Sequence, residues 1–441
     1  MLSQKDNETL CRVGPEAPMG DLLRRFWIPF LHANELPGPD SNPIRVSLLN
    51  ERLVAFRNTD GKVGLISNLC AHRNADLFFG RNEENGLRCT YHGWKYDIEG
   101  RCLDMPSEDD DSVFKDKIRI ASYPVEEAAG ILWTYMGPPE LQPPALPKFE
   151  WMRVPEGYRH VSWNVQDNNY AQAIEGGIDS AHVNYLHSTV DSHRPQDPDA
   201  PKRAPARGGE AGALGALIGR DKHPKLFVKN TDYGLLIGAR RHTGEDKDYW
   251  RLNNFLMPFW TTPPGRSMHA FVPLDDFHVA RWSITWQVDA PYSAAEKASM
   301  RNGQGIHSEL QKDTVSPTLP YMPPGHVPTH NRWNDYQINR DMQREETFTG
   351  IKDFGAQDYS IQEGMGIISD RSTEHLGVTD RGIIAMRRML IDSARDLLEG
   401  IEPPSAHNPE SYWVHGGQTL LPIDADWESA EEVEKAVIGA V

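Results

Sequence analysis

The stretch NLCAHRNADLFFGRNEENGLRCTYHGW, residues 68–94, contains two of the four cysteines in a chain of 441 residues. Each cysteine is followed closely by a histidine: Cys70 by His72, and Cys89 by His92. Four cysteines in a chain of this length do not make a disulfide framework, whereas close Cys/His sets are typical of metal sites. The stretch therefore predicts a metal centre, and it raises the question of what the rest of the chain adds to it.

The arrangement of the two pairs favours one type of metal centre over another. Two thiolates and two imidazoles can bind zinc, but zinc fingers usually place both cysteines first and both histidines later on a helix. Here each loop offers one of each, as a Rieske [2Fe–2S] cluster requires. We predict this cluster at Cys70, His72, Cys89 and His92, with structural zinc as the alternative. Trp94 and Tyr96 are expected to shield it from water, unless they are ordinary core aromatics.

The sequence around the motif predicts a β-rich domain. Short apolar runs separated by turn residues are typical of strands, and Asn85–Gly86 and Glu99–Gly100 are the predicted hairpin tips. A proline-rich stretch then marks a domain boundary. We therefore expect a helical lead-in over residues 1–26, a Rieske domain over 27–140 and a second domain over 150–441.

The composition narrows the function classes. The formal net charge of −17 argues against a nucleic-acid partner, because proteins that bind nucleic acids carry basic patches. The acidic surface either suits a basic protein partner or only keeps the protein soluble. We expect no membrane span, since no apolar run is long enough, and the start of the chain lacks a signal-peptide pattern. These features predict a cytoplasmic protein.

The second domain has a mixed α and β pattern. Residues 189–222 and 315–345 are polar or proline-rich and predict long loops. Between them lie strand-like segments, of which 278–288 alternates apolar and polar residues as a half-buried strand does. Residues 382–401 carry apolar side chains at helical spacing. We expect an antiparallel sheet covered by helices.

A second metal motif lies in NNYAQAIEGGIDSAHVNYLHS, residues 168–188, which predicts a helix with a glycine pair inside it. Asp179, His182 and His187 provide the residue types of a non-haem iron site, in which two histidines and one carboxylate leave positions open. Five residues correspond to about 140° around a regular helix. The helix must therefore be distorted, or end, for both histidines to reach one metal.

The two motifs together resemble the ring-hydroxylating Rieske oxygenases, with Asn169 and Glu175 at the opening positions of the iron motif. The resemblance implies an α+β fold, with an all-β Rieske domain and a helix-grip catalytic domain. It implies that Asp179 does not ligate iron but hydrogen-bonds His182 and links it to His92 of a neighbouring subunit. The third iron ligand is then a distant carboxylate. In residues 355–377 that position is Asp358, with Glu363 as the fallback and Asp370 expected to pair with Arg371.

The whole chain is similar to the phthalate 4,5-dioxygenase-like branch, which also acts on isophthalate and 3-chlorobenzoate. The resemblance implies that electrons pass from NADH through a flavin and iron–sulfur reductase to the cluster and then to mononuclear Fe(II). Both atoms of O₂ then enter an aromatic carboxylate as a cis-dihydrodiol. It also implies a homotrimer, or two stacked trimers that form a hexamer.

An aromatic carboxylate needs a cationic anchor, and arginine suits a carboxylate through its paired N–H donors. We predict Arg207 with Arg241, ahead of Arg203 and Arg240, and a further hydrogen bond from Ser180. Three alternatives stay open at this point: a mono-oxygenase that removes O-methyl groups from an aromatic acid, an electron-transfer Rieske protein, and an inactive scaffold.

Overall fold

The computed structural model describes residues 1–109, 112–193, 214–219, 221–244 and 246–439. Two short helices, α1 (Gln4–Cys11) and α2 (Pro18–Leu23), precede the first strand. The Ser3 hydroxyl accepts a hydrogen bond from the Asp6 amide and caps α1, while the prolyl ring of Pro18 suits the first turn of α2.

Three antiparallel sheets follow, with strand orders β1-β11-β10, β2-β3-β4-β9 and β5-β6-β7-β8. The predicted cluster loop with Cys89 joins β6 to β7 within the third sheet, and the loop with Cys70 lies between β4 of the second sheet and β5 of the third. The strands are β1 (Trp27–His32), β2 (Ile44–Leu48), β3 (Glu51–Arg57), β4 (Val63–Ser67), β5 (Arg81–Glu83), β6 (Gly86–Arg88), β7 (Lys95–Tyr96), β8 (Cys102–Asp104), β9 (Ser122–Tyr123), β10 (Val125–Ala128) and β11 (Ile131–Tyr135).

The hairpin between β5 and β6 turns one residue earlier than the sequence predicts. Glu84 and Asn85 both have positive φ, 51° and 60°, whereas Gly86 pairs with Glu83 in the ladder. Positive φ at both central residues is typical of a type I′ turn. Gly86 is needed for a different reason, since a Cβ there would lie 2.9 Å from the Tyr96 carbonyl oxygen.

The second part of the chain is built on a large antiparallel sheet of order β12-β18-β17-β16-β15-β14-β13, with β21 paired to β15. A short separate ladder joins β19 and β20. The strands are β12 (Arg159–Gln166), β13 (Lys225–Thr231), β14 (Gly234–His242), β15 (Lys247–Leu256), β16 (Trp260–Thr262), β17 (Ser267–Pro273), β18 (Val279–Trp286), β19 (Leu310–Gln311), β20 (Val327–Pro328) and β21 (Gly417–Pro422).

Helices cover the sheet, as the sequence predicts. The helix α4 packs against β16, β17 and α7, whereas α8 packs against β13, β14 and α2. None of the helices in the described part of the chain combines the length and the apolar character that crossing a bilayer requires. The helices of this part are α3 (Glu150–Arg153), α4 (Tyr170–Ile178), α5 (Ala294–Arg301), α6 (Arg340–Glu345), α7 (Phe354–Gly364), α8 (Arg381–Leu398) and α9 (Glu431–Val437).

The sheet has one apolar and one polar face, and both are buried. Residues directly opposite each other in an antiparallel ladder share a face. One such row across β12, β18, β17 and β16 is apolar, and the next row is polar. The apolar row is Trp163, Trp282, Ala270 and Trp260, and the polar row is Ser162, Ser283, His269 and Thr261.

The strand β18 is therefore not half-buried, contrary to its alternating sequence. Arg281 is 2% exposed and Ser283 is 1% exposed. The polar face is covered because α4 and α7 lie across it. The apolar residues of β18 face the core, and its alternating polar residues face an internal cavity instead of solvent.

Candidate metal centres and the cavity

The two predicted cluster loops have the same backbone geometry although their sequence spacings differ. The amide of Cys70 donates to the Ala75 carbonyl, and that of Cys89 donates to the Trp94 carbonyl, at 2.9 and 2.8 Å. In each loop the cysteine carbonyl accepts from the amide four residues later, where Asn74 and Gly93 have positive φ. Each loop thus places one Cys and one His on an equivalent turn.

The side chains at these loops suit a Rieske cluster. Cys70 and Cys89 are 1% and 3% exposed, and the rings of His72 and His92 lie 4.4 Å apart between centroids. The His72 Nδ1 atom is buried and has no hydrogen-bond partner among the described residues. An unpaired imidazole nitrogen beside two buried thiols is a donor set that fits iron.

Trp94 and Tyr96 adjoin these loops. The Trp94 ring stacks on His72 at 4.7 Å, and the Tyr96 hydroxyl lies 3.2 Å from the Cys70 sulfur. That hydroxyl also accepts a hydrogen bond from the Ala71 amide at 3.1 Å. Because Trp94 and Tyr96 are almost fully buried, they separate the cysteines from solvent on one side.

The predicted helix over residues 168–188 ends early, and its end brings the two histidines together. The helix α4 stops at Ile178, and Asp179 is extended, with φ −70° and ψ 126°. The Asp179 carboxylate then accepts from the Ala181 amide at 2.7 Å and starts a 3-10 turn that begins at His182. The helix ends there, as the spacing of the histidines requires.

The glycine pair Gly176–Gly177 allows close packing of this helix. Both glycines lie within regular α4, and a Cβ at Gly177 would lie 2.7 Å from the Phe271 ring and 2.8 Å from the Thr261 hydroxyl. Glycine therefore allows the helix to approach the polar face of the sheet closely. The approach sets the distance between the histidine-bearing turn and the sheet.

Three side chains converge on one point. The Nε2 atoms of His182 and His187 lie 3.2 Å apart, and the Asp358 Oδ1 atom on α7 lies 3.6 Å and 3.2 Å from them. Three ligands on one face of an octahedral iron would be separated by roughly 3 Å. In the described part of the chain, these residues form the one His/Cys/Asp/Glu group close enough to share a metal ion.

The remaining ring nitrogens are held by two different groups. The Asp179 Oδ2 atom lies 3.2 Å from His182 Nδ1, and the Gln357 Oε1 atom lies 2.8 Å from His187 Nδ1. Burial disfavours the charge on His182, but the Asp179 hydrogen bond and carboxylate charges outweigh it, so the pKa of His182 is raised. Gln357 directly precedes Asp358, but no pattern in the sequence predicted its contact with His187.

Two other carboxylates lie elsewhere. Glu363, the fallback ligand, accepts from the Tyr336 hydroxyl at 2.5 Å and from the Asp167 amide at 3.1 Å. Burial raises its pKa to about 7 despite these donors. The expected pairing of Asp370 with Arg371 is wrong, since Arg371 points inward to Glu175 at 2.8 Å while Asp370 accepts from Ser372.

A cavity of about 930 Å³ lies between the metal triad and the polar face of the sheet. Arginines from three places reach it: Arg251 on β15, Arg281 on β18 and Arg266 before β17. The Arg281 guanidinium lies 3.5 Å from His269 Nε2, and its Nη1 atom has no partner within the described residues. The same holds for Arg251 Nε.

The predicted substrate arginines have other positions. Arg241 is fully buried and donates to the Ser180 carbonyl at 2.6 Å and to Asn184 at 3.0 Å, so it braces the histidine-bearing turn from behind. Neither Arg241 nor Ser180 is among the described residues that line the cavity. Arg240 pairs with Asp248. Arg203 and Arg207 lie outside the described residues.

The sequence signal for the cavity arginines was the polar alternation in the strands. Arg251 and Asn253 line the cavity from β15, and Arg281 and Thr285 line it from β18. These pairs occupy alternate or same-parity positions on one side of their strands. A half-buried strand would turn this polar side to solvent, so the alternation did not identify the arginines as cavity residues.

Two families match this chain. The Rieske [2Fe-2S] domain family matches residues 26–124, and the LigXa C-terminal domain-like family matches residues 134–438. The first match confirms the predicted [2Fe–2S] domain. The second covers more than half of the chain and contains all three residues of the metal triad, His182, His187 and Asp358.

Full-length relatives agree with these matches. The chain is 36% identical to the 3-chlorobenzoate-3,4-dioxygenase oxygenase subunit of Comamonas testosteroni, covering 98% of both chains. It is 35% identical to the phthalate 4,5-dioxygenase oxygenase subunit of Pseudomonas putida, covering 89% of this chain and 86% of the relative.

A solved structure shows that the fold is shared. It is NdmA of Pseudomonas putida CBB5, as a QL mutant with theobromine, which aligns at a TM-score of 0.56 and 17% identity over 92% of this chain and 99% of that one. The α+β fold with an all-β Rieske domain is thus confirmed. The chain belongs to the Rieske oxygenases, as an oxygenase subunit of the branch that contains the 3-chlorobenzoate and phthalate dioxygenases.

Proposed function

We propose that this subunit uses O₂ and electrons from NADH to convert an aromatic carboxylate into a cis-dihydrodiol. The observation that carries the proposal is the metal triad, which faces a cavity lined by Arg251 and by the buried Arg281. A catalytic iron needs open positions beside its protein ligands, and a carboxylate needs a cation. His182, His187 and Asp358 would hold mononuclear iron, and Cys70, His72, Cys89 and His92 would hold the cluster.

The iron, when bound, supplies the activation of dioxygen, and the protein positions everything around it. The three ligands occupy one side of the site, so the other side faces the cavity. Phe354 stacks on the His187 ring at 3.9 Å and Phe271 lines the cavity floor. These two rings provide flat apolar surfaces for an aromatic ring.

We assign the substrate carboxylate to Arg251 and Arg281 in place of Arg241. The Arg241 Nη2 atom donates to Ser180 and Asn184, and Arg241 does not line the cavity although its Nε is also unpaired, whereas Arg251 and Arg281 line the cavity and have unpaired N–H groups. Burial lowers the pKa of Arg251, yet a guanidinium remains charged in proteins. A buried cation with unpaired donors is stabilised by an anion, and this favours an aromatic acid over a neutral substrate.

Asp179 is the proposed link for electrons between His182 and His92 of a neighbouring subunit. Its carboxylate lies against His182 Nδ1 and retains some exposure, 19% for the side chain. Such a link requires an oligomer, for which we propose a trimer or two stacked trimers. We further propose a separate flavin and iron–sulfur reductase as the electron donor, and domain limits of 27–140 and 150–441.

The test is an assay of the purified, iron-loaded subunit with NADH, a phthalate-dioxygenase-type reductase and O₂. The substrates are the three phthalate isomers, 3-chlorobenzoate and a methoxybenzoate, and the products are identified by mass spectrometry. A dihydrodiol from an aromatic acid supports the proposal. Formaldehyde from the methoxy compound, with no diol from any acid, would show a demethylase instead.

A further inference from the structure

Gln357 is the buried amide that contacts a metal-ligating histidine, and its two side-chain atoms have different partners. Its Nε2 donates to the Ile351 carbonyl at 2.8 Å, and its Oε1 lies 2.8 Å from His187 Nδ1. The residue is 8% exposed and belongs to the first turns of α7, which the Asp353 side chain caps through the Ala356 amide. The amide is therefore held by its helix and by a fixed carbonyl.

These contacts determine where the proton on His187 lies. A backbone carbonyl only accepts hydrogen bonds, so the amide atom that faces Ile351 must be the NH₂ group. The oxygen of Gln357 therefore faces His187, and because that oxygen also only accepts, Nδ1 must carry the proton. The lone pair is then on Nε2, the atom 3.2 Å from Asp358.

The second histidine is held differently. His182 Nδ1 faces the Asp179 carboxylate at 3.2 Å, so one imidazole has an anion behind it and the other has a neutral amide. A partner on the outer nitrogen orients the ring and sets its tautomer. The ring plane of His187 is set from a second direction by Phe354, which stacks at 3.9 Å and 19°.

We propose that Gln357 is the positioning residue for His187: its oxygen fixes the Nδ1–H tautomer and the ring orientation that direct Nε2 at the metal. The inference rests on the proposed function in that it takes iron as the ion at the triad. It concerns metal binding, however, and does not depend on which substrate is oxidised.

The test compares Gln357→Met, which keeps the side-chain length but removes the acceptor oxygen, with Gln357→Glu, which keeps an oxygen toward Nδ1. Ser360→Ala is the matched control, since its hydroxyl donates to the Gln357 carbonyl and not to the amide. The cluster's visible absorption, retained in every variant, reports folding. Fe(II) affinity of the second site is measured by chelator competition, and Gln357→Met is expected to weaken it about 10- to 100-fold.

A second measurement separates positioning from packing. In protein with Co(II) at the triad, the exchangeable Nδ1–H protons of the two ligating histidines give separate shifted proton resonances. Gln357→Met should lose the resonance of His187 to solvent exchange and keep that of His182, while Gln357→Glu and Ser360→Ala keep both. Retention of both resonances in Gln357→Met, or their equal loss in Gln357→Glu, would overturn the proposal. A failed product assay would leave these readouts unaffected.

Discussion

The Nε2 atoms of His182 and His187 lie 3.2 Å apart, while their Nδ1 atoms point to different partners, an anionic carboxylate and a neutral amide. The two nitrogens that face each other would repel as lone pairs unless a cation lies between them. A metal ion between them would therefore stabilise the arrangement, and the different Nδ1 partners make the two histidines inequivalent.

The first prediction is that the two metal centres can be emptied independently. Asp358→Ala removes a triad ligand, so turnover should fall about 100-fold or more while the cluster absorption stays. Cys89→Ser should do the reverse, with loss of the cluster absorption and retention of one iron at the triad. Iron analysis and visible spectroscopy measure both. Loss of the cluster in Asp358→Ala would contradict separate sites.

The second prediction concerns the charge behind His182. Asp179→Asn keeps the size of the side chain but removes the anion 3.2 Å from His182 Nδ1. Turnover is expected to fall about 10- to 100-fold, because a carboxylate on the outer nitrogen orients a metal-bound imidazole and raises its basicity. Stopped-flow reoxidation of the reduced cluster by O₂ and substrate measures the step. Asp370→Asn, an exposed carboxylate, is the control and should leave the rate unchanged.

The third prediction separates Arg241 from the cavity arginines. Arg241→Ala should lower the free energy of unfolding by about 2–4 kcal/mol, because it leaves the Ser180 carbonyl and Asn184 without their donor in a buried place. Denaturant unfolding measures this effect. An unchanged stability together with a raised KM would show that Arg241 binds substrate instead.

The fourth prediction is that Arg281→Gln raises the KM for the aromatic acid about 10- to 100-fold, with the iron content unchanged. A hydrogen bond to a charged group contributes about 1.5–3 kcal/mol, and glutamine keeps a donor but not the charge. Steady-state kinetics measures the shift. The control is Arg240→Gln, whose guanidinium pairs with Asp248 away from the cavity. Equal shifts in both variants would remove Arg281 from the anchor.

The fifth prediction uses Glu363, whose pKa burial raises from 4.5 to about 7. Because the folded chain binds this proton more tightly than the unfolded chain, the free energy of unfolding falls as pH rises from about 4.5 to about 7. Glu363→Gln removes that dependence. Relative to the native chain it should gain about 3 kcal/mol between about pH 4.5 and pH 8.

Denaturant unfolding at several pH values measures the gain. The control is Glu399→Gln, which is exposed at the end of α8 and should follow the native chain at every pH. A constant difference between Glu363→Gln and the native chain would show that the carboxyl does not hold its proton in the folded state.

The two cluster loops show which features of the site the local sequence predicts. The spacings Cys70–His72 and Cys89–His92 differ by one residue, yet the turns are equivalent because the backbone hydrogen bonds span the same number of residues. The residue types predicted the cluster, since few metal centres use one Cys and one His from each of two loops. The end of α4 was also predictable, because two histidines five residues apart cannot share a metal on a regular helix.

The sequence by itself determined the chemistry of the two centres, because ligand types and short spacings are local and survive any folding of the rest. Only the tertiary structure decided what surrounds them. Gln357 lies 170 residues beyond His187 in the chain, and 63 acidic residues compete for the third ligand position. The packing of α7 and α4 over the polar face of the sheet places Asp358 beside the two histidines and leaves Arg281 in the cavity wall. Arg241 instead donates hydrogen bonds to Ser180 and Asn184, outside the cavity lining. Those choices depend on contacts between distant segments, which spacing does not encode.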